Sequence, residues 1–424
     1  MSKQAFDYPK YFVHHWAKPF FVIVSAPFAQ LGFIGMKLFN TLCVVLALLL
    51  TAKVMNSKFK ITPFLVLVLG LSMPDLFRAQ SSGLTEPLFA LILVIGIALF
   101  FKDKKLLACI LWSFLPFVRS EGWFVIPVLA FLLLLEGNWK YLPLFVTGTV
   151  LYSIAGSFYY NDILWVFHEN PYQGEEVKYG SGNWNHYGTQ LLYGMGLPLF
   201  NLLIIGSVII VYRVFSVKHE LSKLELWSTV LFWTFFAAHT IFWAMGWFHS
   251  FGLRRVFIAV LPLTIIPILT ALRCIANLIP KYRTTILSVL IAFIVVFPFS
   301  GSPMGYGSKR AFEKDVHQIA ADEAASWFLA SEYRNETIAY AHHYIAEATG
   351  RDMDDPEEVR ILERKDFINL PEGIVVFWDD YFAPSDKGFN ESEFLESKEF
   401  ELIHVIKSSS SEKSCRISIF RKVL

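Results

Sequence analysis

The chain has 424 residues, of which 55% are hydrophobic, 17% aromatic and only 17% charged, with a formal net charge of +1. A soluble domain carries about 25% charged residues, so this composition excludes a soluble globular enzyme and calls for lipid around much of the chain. The near-neutral total averages two different parts: residues 301–424 hold 24 acids against 15 Lys and Arg, a local charge of −9, while residues 1–300 are strongly apolar.

Taken from the start, MSKQAFDYPKYF lacks the pattern of a cleavable secretory signal. The following stretch mixes His14, His15, Trp16 and Lys18 with apolar residues and is punctuated by Pro19 and Pro27. It reads as an interfacial helix, not a span. His15 and Lys18 are candidates for contact with a sugar or phosphate, and membrane anchoring accounts for the same residues. His14 and His15 have no carboxylate or cysteine at ligand spacing, so no metal is expected there. Cys43, Cys109, Cys274 and Cys415 are scattered singly and give neither a disulfide framework nor a zinc spacing.

A hydrocarbon core of about 30 Å needs roughly 20 apolar residues in a helix. By that measure the chain predicts spans near 33–52, 61–76, 84–101, 141–158, 193–213, 226–246, 256–275 and 284–300, with two shorter runs, 105–118 and 121–136, flanking Arg119. The expected fold is an all-α polytopic domain of about ten transmembrane helices over residues 1–300, followed by a small α/β domain over 301–424. Alternate loops carry thirteen and six Lys or Arg. The positive-inside rule makes the first set cytoplasmic and puts the C-terminal domain outside the cell. The first span then runs inward from an external Met1, which leads us to expect one further span upstream.

Glu86 opens a span in SGLTEPLFALIL, where Pro87 and the acid both suit a helix N-terminus. Arg119 and Glu121, in FVRSEGWFVIP, fall in a tight turn between the short spans, placed for an ion pair or a ligand. Arg254 and Arg255 stand at the mouth of a late span, and paired guanidiniums suit a phosphate because each donates in a fork and neither loses its charge. The long loop FYYNDILWVFHENPYQGEEVKYGSGNWNHYGTQLLYG offers aromatic stacking surfaces and amides for sugar hydroxyls, with Trp184, His186 and Tyr187 as candidates.

These segments in order, HHWAKP, LTEPLF, RSEGW, GNWNHYG and RRVFIAVLP, followed by an extracytoplasmic domain, resemble the GT-C class of membrane glycosyltransferases, in particular bacterial mannosyltransferase-like members that use polyprenyl-phosphate sugars. The resemblance implies transfer of a sugar, mannose being one option, from a lipid phosphate to a glycan, lipid or protein acceptor at the outer leaflet of a bacterial inner membrane, with inversion at the anomeric carbon. It implies an acidic base in the first outer loop and basic residues on the departing phosphate, roles that Arg254, Arg255 and Arg119 match. The chain begins inside that loop, so Asp7 is the nearest acid and the base is expected upstream of Met1. No cofactor is assigned, the need for a divalent metal is open, and no nucleic acid is expected as a partner.

In the C-terminal part, ADEAASWFLASEY has helical spacing, while TIAYAHHYI, GIVVFWDD, FELIHVI and RISIF read as strands. His342 and His343 then fall within a strand and Asp379 and Asp380 follow one. A metal or catalytic site there is one reading, and an exposed loop beside a half-buried strand the simpler one. The competing functions are a transporter or lipid flippase, which predicts internal repeats and discontinuous helices, and an inactive scaffold for envelope assembly.

Overall fold

A computed structural model describes residues 1–59, 62–170, 180–216, 222–306, 314–364, 369–409 and 414–423. The chain divides into two compact units, Met1–Ser308 and Lys309–Leu424.

The first unit is helical. Its helices are α1 (Pro19–Ala29), α2 (Gly32–Phe59), α3 (Pro63–Leu71), α4 (Pro74–Ala79), α5 (Glu86–Phe100), α6 (Lys105–Trp112), α7 (Leu115–Val118), α8 (Gly122–Leu135), α9 (Thr147–Tyr160), α10 (Trp165–His168), α11 (His186–Met195), α12 (Leu197–Phe215), α13 (Lys223–Met245), α14 (Leu261–Asn277) and α15 (Arg283–Val296). Proline begins many of them, including α1, α3, α4, α5, α12 and α14, because its missing N–H is not needed in a first turn. Gly246, at φ 69°, closes α13 in the left-handed conformation.

Five helical segments are long and apolar enough to cross a membrane: Gly32–Met55, Trp139–Tyr160, Leu197–Phe215, Lys223–Met245 and Pro280–Phe299. They coincide with five of the spans expected from sequence. The positions of four others hold shorter apolar helices, Glu86–Phe100, Lys105–Val118, Gly122–Leu135 and Leu261–Asn277. The span expected at 61–76 is not continuous: α3 ends at Leu71 and α4 starts at Pro74, with Met73 extended between them at φ −80°, ψ 117°. The cause is Pro74, whose ring pushes the residue before it out of the helical region.

Close packing holds the bundle together, which is the stabilising interaction available to helices wherever the surroundings are as apolar as the side chains. Gly206 on α12 faces the Pro267 carbonyl of α14 so closely that a Cβ would lie 1.9 Å from that oxygen. Gly96 makes room for the buried Trp112, whose Nε1 donates to the Leu93 carbonyl at 3.2 Å. Buried Glu225 of α13 accepts from Thr270 Oγ1 of α14 at 2.9 Å and from Arg213 Nη1 of α12 at 3.0 Å, so one carboxylate ties three helices. Beyond α15, Tyr306 donates to the Leu71 carbonyl at 2.7 Å and takes Arg78 Nη2 on its own carbonyl at 2.9 Å, fixing this segment on the α3–α4 break.

The second unit contains α16 (Val316–Ala330), β1 (Ile338–Tyr340), α17 (Tyr344–Thr349), β2 (Val359–Ile361), β3 (Val375–Asp379), α18 (Phe382–Lys387), α19 (Glu391–Leu395), β4 (Phe400–Ser409) and β5 (Ser414–Lys422). The sheet order is β2-β1-β3-β5-β4, parallel among the first three and antiparallel across β3–β5 and β5–β4. Alternation along β3 sends Val375 and Phe377 into one core with Phe328 and Ile419, and Val376 and Trp378 into a second core with Phe394 and Phe420. The expected helix and four expected strands are present, but His342 and His343 are not in a strand. Pairing of β1 ends at Tyr340. His343 takes helical angles, and Ile345 and Ala346 bury the start of α17.

Candidate functional site

Three acids inside the helical unit, Asp75 and Glu86 buried and Glu121 largely so, face a group of cations. Glu86 opens α5 and is fully buried. Its Oε1 lies 2.8 Å from Arg119 Nη1 and 3.6 Å from Arg255 Nε, yet neither carboxylate oxygen accepts a hydrogen bond among the described residues. Arg119 is extended at φ −156°, ψ 147° at the end of α7, and its Nη1 also donates to Thr85 Oγ1 at 2.8 Å. Its Nη2 pairs with Glu121, as the RSEGW spacing suggests. Gly122 allows this turn to be tight, since a Cβ there would lie 2.2 Å from the Pro116 nitrogen. Glu121 also faces His239 of α13, whose Nε2 is 4.0 Å away.

Asp75 was not foreseen. It sits in the first turn of α4, buried, and receives Arg254 in a two-point fork, Nε to Oδ2 at 2.8 Å and Nη2 to Oδ1 at 3.0 Å, with Arg78 Nη1 3.5 Å from Oδ1. Gly194 of α11 lies beneath the pair, and a Cβ there would approach Asp75 Oδ2 to 2.6 Å. A signal for Asp75 was present: proline followed by an acid marks a helix start even inside an apolar run. The run was read as one continuous span, which hid it.

The two neighbouring arginines thus differ. Arg254 is committed to Asp75 and its side chain is 26% exposed, while Arg255 leans on Glu86 at longer range and is 51% exposed. Lys18, in the turn before α1, joins the group by donating from Nζ to Ser120 Oγ at 2.8 Å. Burial lowers Lys18 to about 8, with Glu121 raising it and Arg119 lowering it. Five cations, Lys18, Arg78, Arg119, Arg254 and Arg255, therefore stand against three acids, a balance that favours an anionic ligand.

The remaining expected residues fall elsewhere or play packing roles. His15 is buried with Nε2 2.6 Å from the Val166 carbonyl and its ring against Trp165, fastening the N-terminal segment to α10. His186 Nε2 lies 2.8 Å from the Gly252 carbonyl and so holds the turn that leads to Arg254. Tyr187 is buried, with its ring 5.1 Å from Phe257 and 6.0 Å from His239. Trp184 is exposed. Asp7 is exposed in the N-terminal turns and makes no ion pair with the arginines among the described residues. Residues 171–179 of the aromatic loop lie outside the described residues.

No protein-family model matches this chain, and no curated protein matches it.

Proposed function

We propose that the chain is a GT-C-like membrane glycosyltransferase of about ten spans, which moves a sugar such as mannose from a polyprenyl-phosphate donor to an acceptor at the outer face of a bacterial inner membrane. What supports this reading most is the buried Glu86 carboxylate, ion-paired between Arg119 and the half-exposed Arg255 while neither oxygen accepts a hydrogen bond among the described residues.

In this reading Arg255 receives the donor phosphate with its free N–H groups, and Arg119 holds Glu86 in place. Glu86 takes the proton from an acceptor hydroxyl as that oxygen attacks the anomeric carbon. The bond from that carbon to the phosphate oxygen breaks with its electron pair, and polyprenyl phosphate leaves with the charge that Arg255 and the surrounding cations stabilise. Asp75 is less suited to be the base because both its oxygens are occupied by Arg254. Its pairing positions the loop that carries Arg255.

A transporter or flippase is the second reading, favoured by one observation: the α3–α4 break beside buried Asp75 is the discontinuous helix expected at a transport site. Transfer of label from radiolabelled polyprenyl-phosphate mannose in membranes, compared between the native chain and Glu86→Gln, distinguishes the two. Transfer that is lost in Glu86→Gln supports the enzyme. Silence with a panel of donors, combined with translocation of a fluorescent polyprenyl phosphate in vesicles, supports the transporter.

A further inference from the structure

The C-terminal unit holds a cluster of side chains that the proposed transfer reaction does not use. His317, in the first turn of α16, Asp380, just after β3, and Cys415, near the start of β5, bring a ring nitrogen, a carboxylate oxygen and a sulfur within 4.8 Å of one another. The three residues come from separate elements and are far apart in the chain, so no ligand spacing in the sequence announces them. Among the described residues this is the one group of three or more His, Cys, Asp or Glu that is placed to share an ion.

A further observation points to a ligand. His317 Nδ1 is buried and has no hydrogen-bond partner among the described residues, a costly state for a polar atom that a metal would relieve. The Arg416 backbone N–H holds Asp380 Oδ2 at 2.9 Å, which fixes that carboxylate in place.

We infer that His317, Asp380 and Cys415 form a zinc-binding site with one open coordination position. Imidazole, thiolate and carboxylate together are a borderline-soft donor set that suits Zn²⁺, whereas Mg²⁺ and Ca²⁺ select oxygen ligands. Ligand atoms around a tetrahedral zinc are about 3.5 Å apart, given metal–ligand distances near 2.0–2.3 Å, so the three side chains draw in by about 1 Å. On binding, the Cys415 S–H gives up its proton to solvent and the sulfur bonds to the metal as thiolate. The fourth position belongs to water: Asp380 and Cys415 also line a cavity of about 350 Å³, which gives it room. The metal would join the N-terminus of α16 to the ends of β3 and β5.

The test uses the full chain purified in detergent and titrated with Co²⁺ as a spectroscopic substitute for Zn²⁺. One equivalent is expected to produce a thiolate-to-cobalt charge-transfer band with the strong visible absorption of four-coordinate cobalt, and Zn²⁺ should displace it. Cys415→Ser should abolish the band, His317→Ala and Asp380→Asn should weaken binding at least about tenfold, and replacing Cys43, Cys109 and Cys274 together should leave it intact. Absence of the band in the native chain, its survival in Cys415→Ser, or its loss with the other three cysteines would each overturn the site. Should the substituted chains misfold, Zn²⁺ protection of Cys415 from maleimide in the native chain decides the matter. Protection supports the site, and an unchanged labelling rate refutes it.

Discussion

Arg254 grips both carboxylate oxygens of Asp75, and it does so across the fold, from the 3-10 turn Arg254–Ala259 to the first turn of α4. A fork of this kind is directional as well as strong. It fixes the backbone next to Arg255, whose own guanidinium stays half exposed.

The fork makes a measurable coupling. Arg254→Ala leaves a buried carboxylate with Arg78, 3.5 Å away, as its remaining cation among the described residues, at a cost on the order of 3 kcal/mol. Arg254→Ala combined with Asp75→Ala should cost clearly less than the two separate losses added together. Thermal unfolding of the four proteins in detergent gives the coupling energy, and simple additivity would mean that the pair contributes nothing specific.

Arg255→Ala is expected to behave oppositely to Arg254→Ala. Its side chain is half exposed and its contact with Glu86 is long, so the unfolding temperature should stay near that of the native chain. On the proposed reaction, transfer should fall about 100-fold or more, as for loss of one group that stabilises transition-state charge. A variant that transfers sugar normally removes Arg255 from the phosphate role.

On the proposed reaction, Lys18 should make transfer sensitive to pH. Burial lowers it to about 8, so the cluster loses one positive charge as pH rises through that value, and donor affinity should drop about tenfold. Lys18→Arg, whose charge persists, should flatten the profile above about pH 8. The effect on stability has the opposite sign. Between about 8 and the ordinary lysine value the unfolded chain binds a proton that the folded one lacks, so Lys18 contributes a gain in stability with rising pH. An activity profile that is identical for Lys18 and Lys18→Arg would dismiss the titration.

Glu225 offers a control away from the charged cluster. Glu225→Ala removes the acceptor shared by Thr270 and Arg213, leaving Thr270 Oγ1 with its bond to the Ile266 carbonyl at 3.2 Å, which should cost about 2–4 kcal/mol. Turnover per folded molecule should be unchanged. If turnover falls while stability holds, Glu225 belongs to the functional machinery instead.

The helices were legible in the sequence because apolar runs and prolines are local signals, and the Arg119–Glu121 turn was legible because both residues lie within five positions of chain. Glu86 was visible as a helix start. That it is fully buried, with Arg119 and Arg255 converging on it, required tertiary structure. Asp75 was hidden by hydropathy, which averages a single acid into its apolar neighbours. Conversely, His15 looked chemical because it lies among aromatic and cationic residues, and proves to fasten the chain to Val166. In the C-terminal unit, alternating hydrophobicity ran past Tyr340 and so extended the first strand over His342 and His343. Strand pairing, which no local pattern reports, ends earlier.

Gly194 contributes no charge and no hydrogen-bonding side chain, yet the space above its Cα is filled by Asp75 and Arg254. Any added carbon must displace an ion pair instead of a flexible hydrocarbon. A survey of tolerated substitutions across the chain would therefore mark this position as severely as the acids themselves, and natural drift at residue 194 would be arrested by the chemistry of its neighbours.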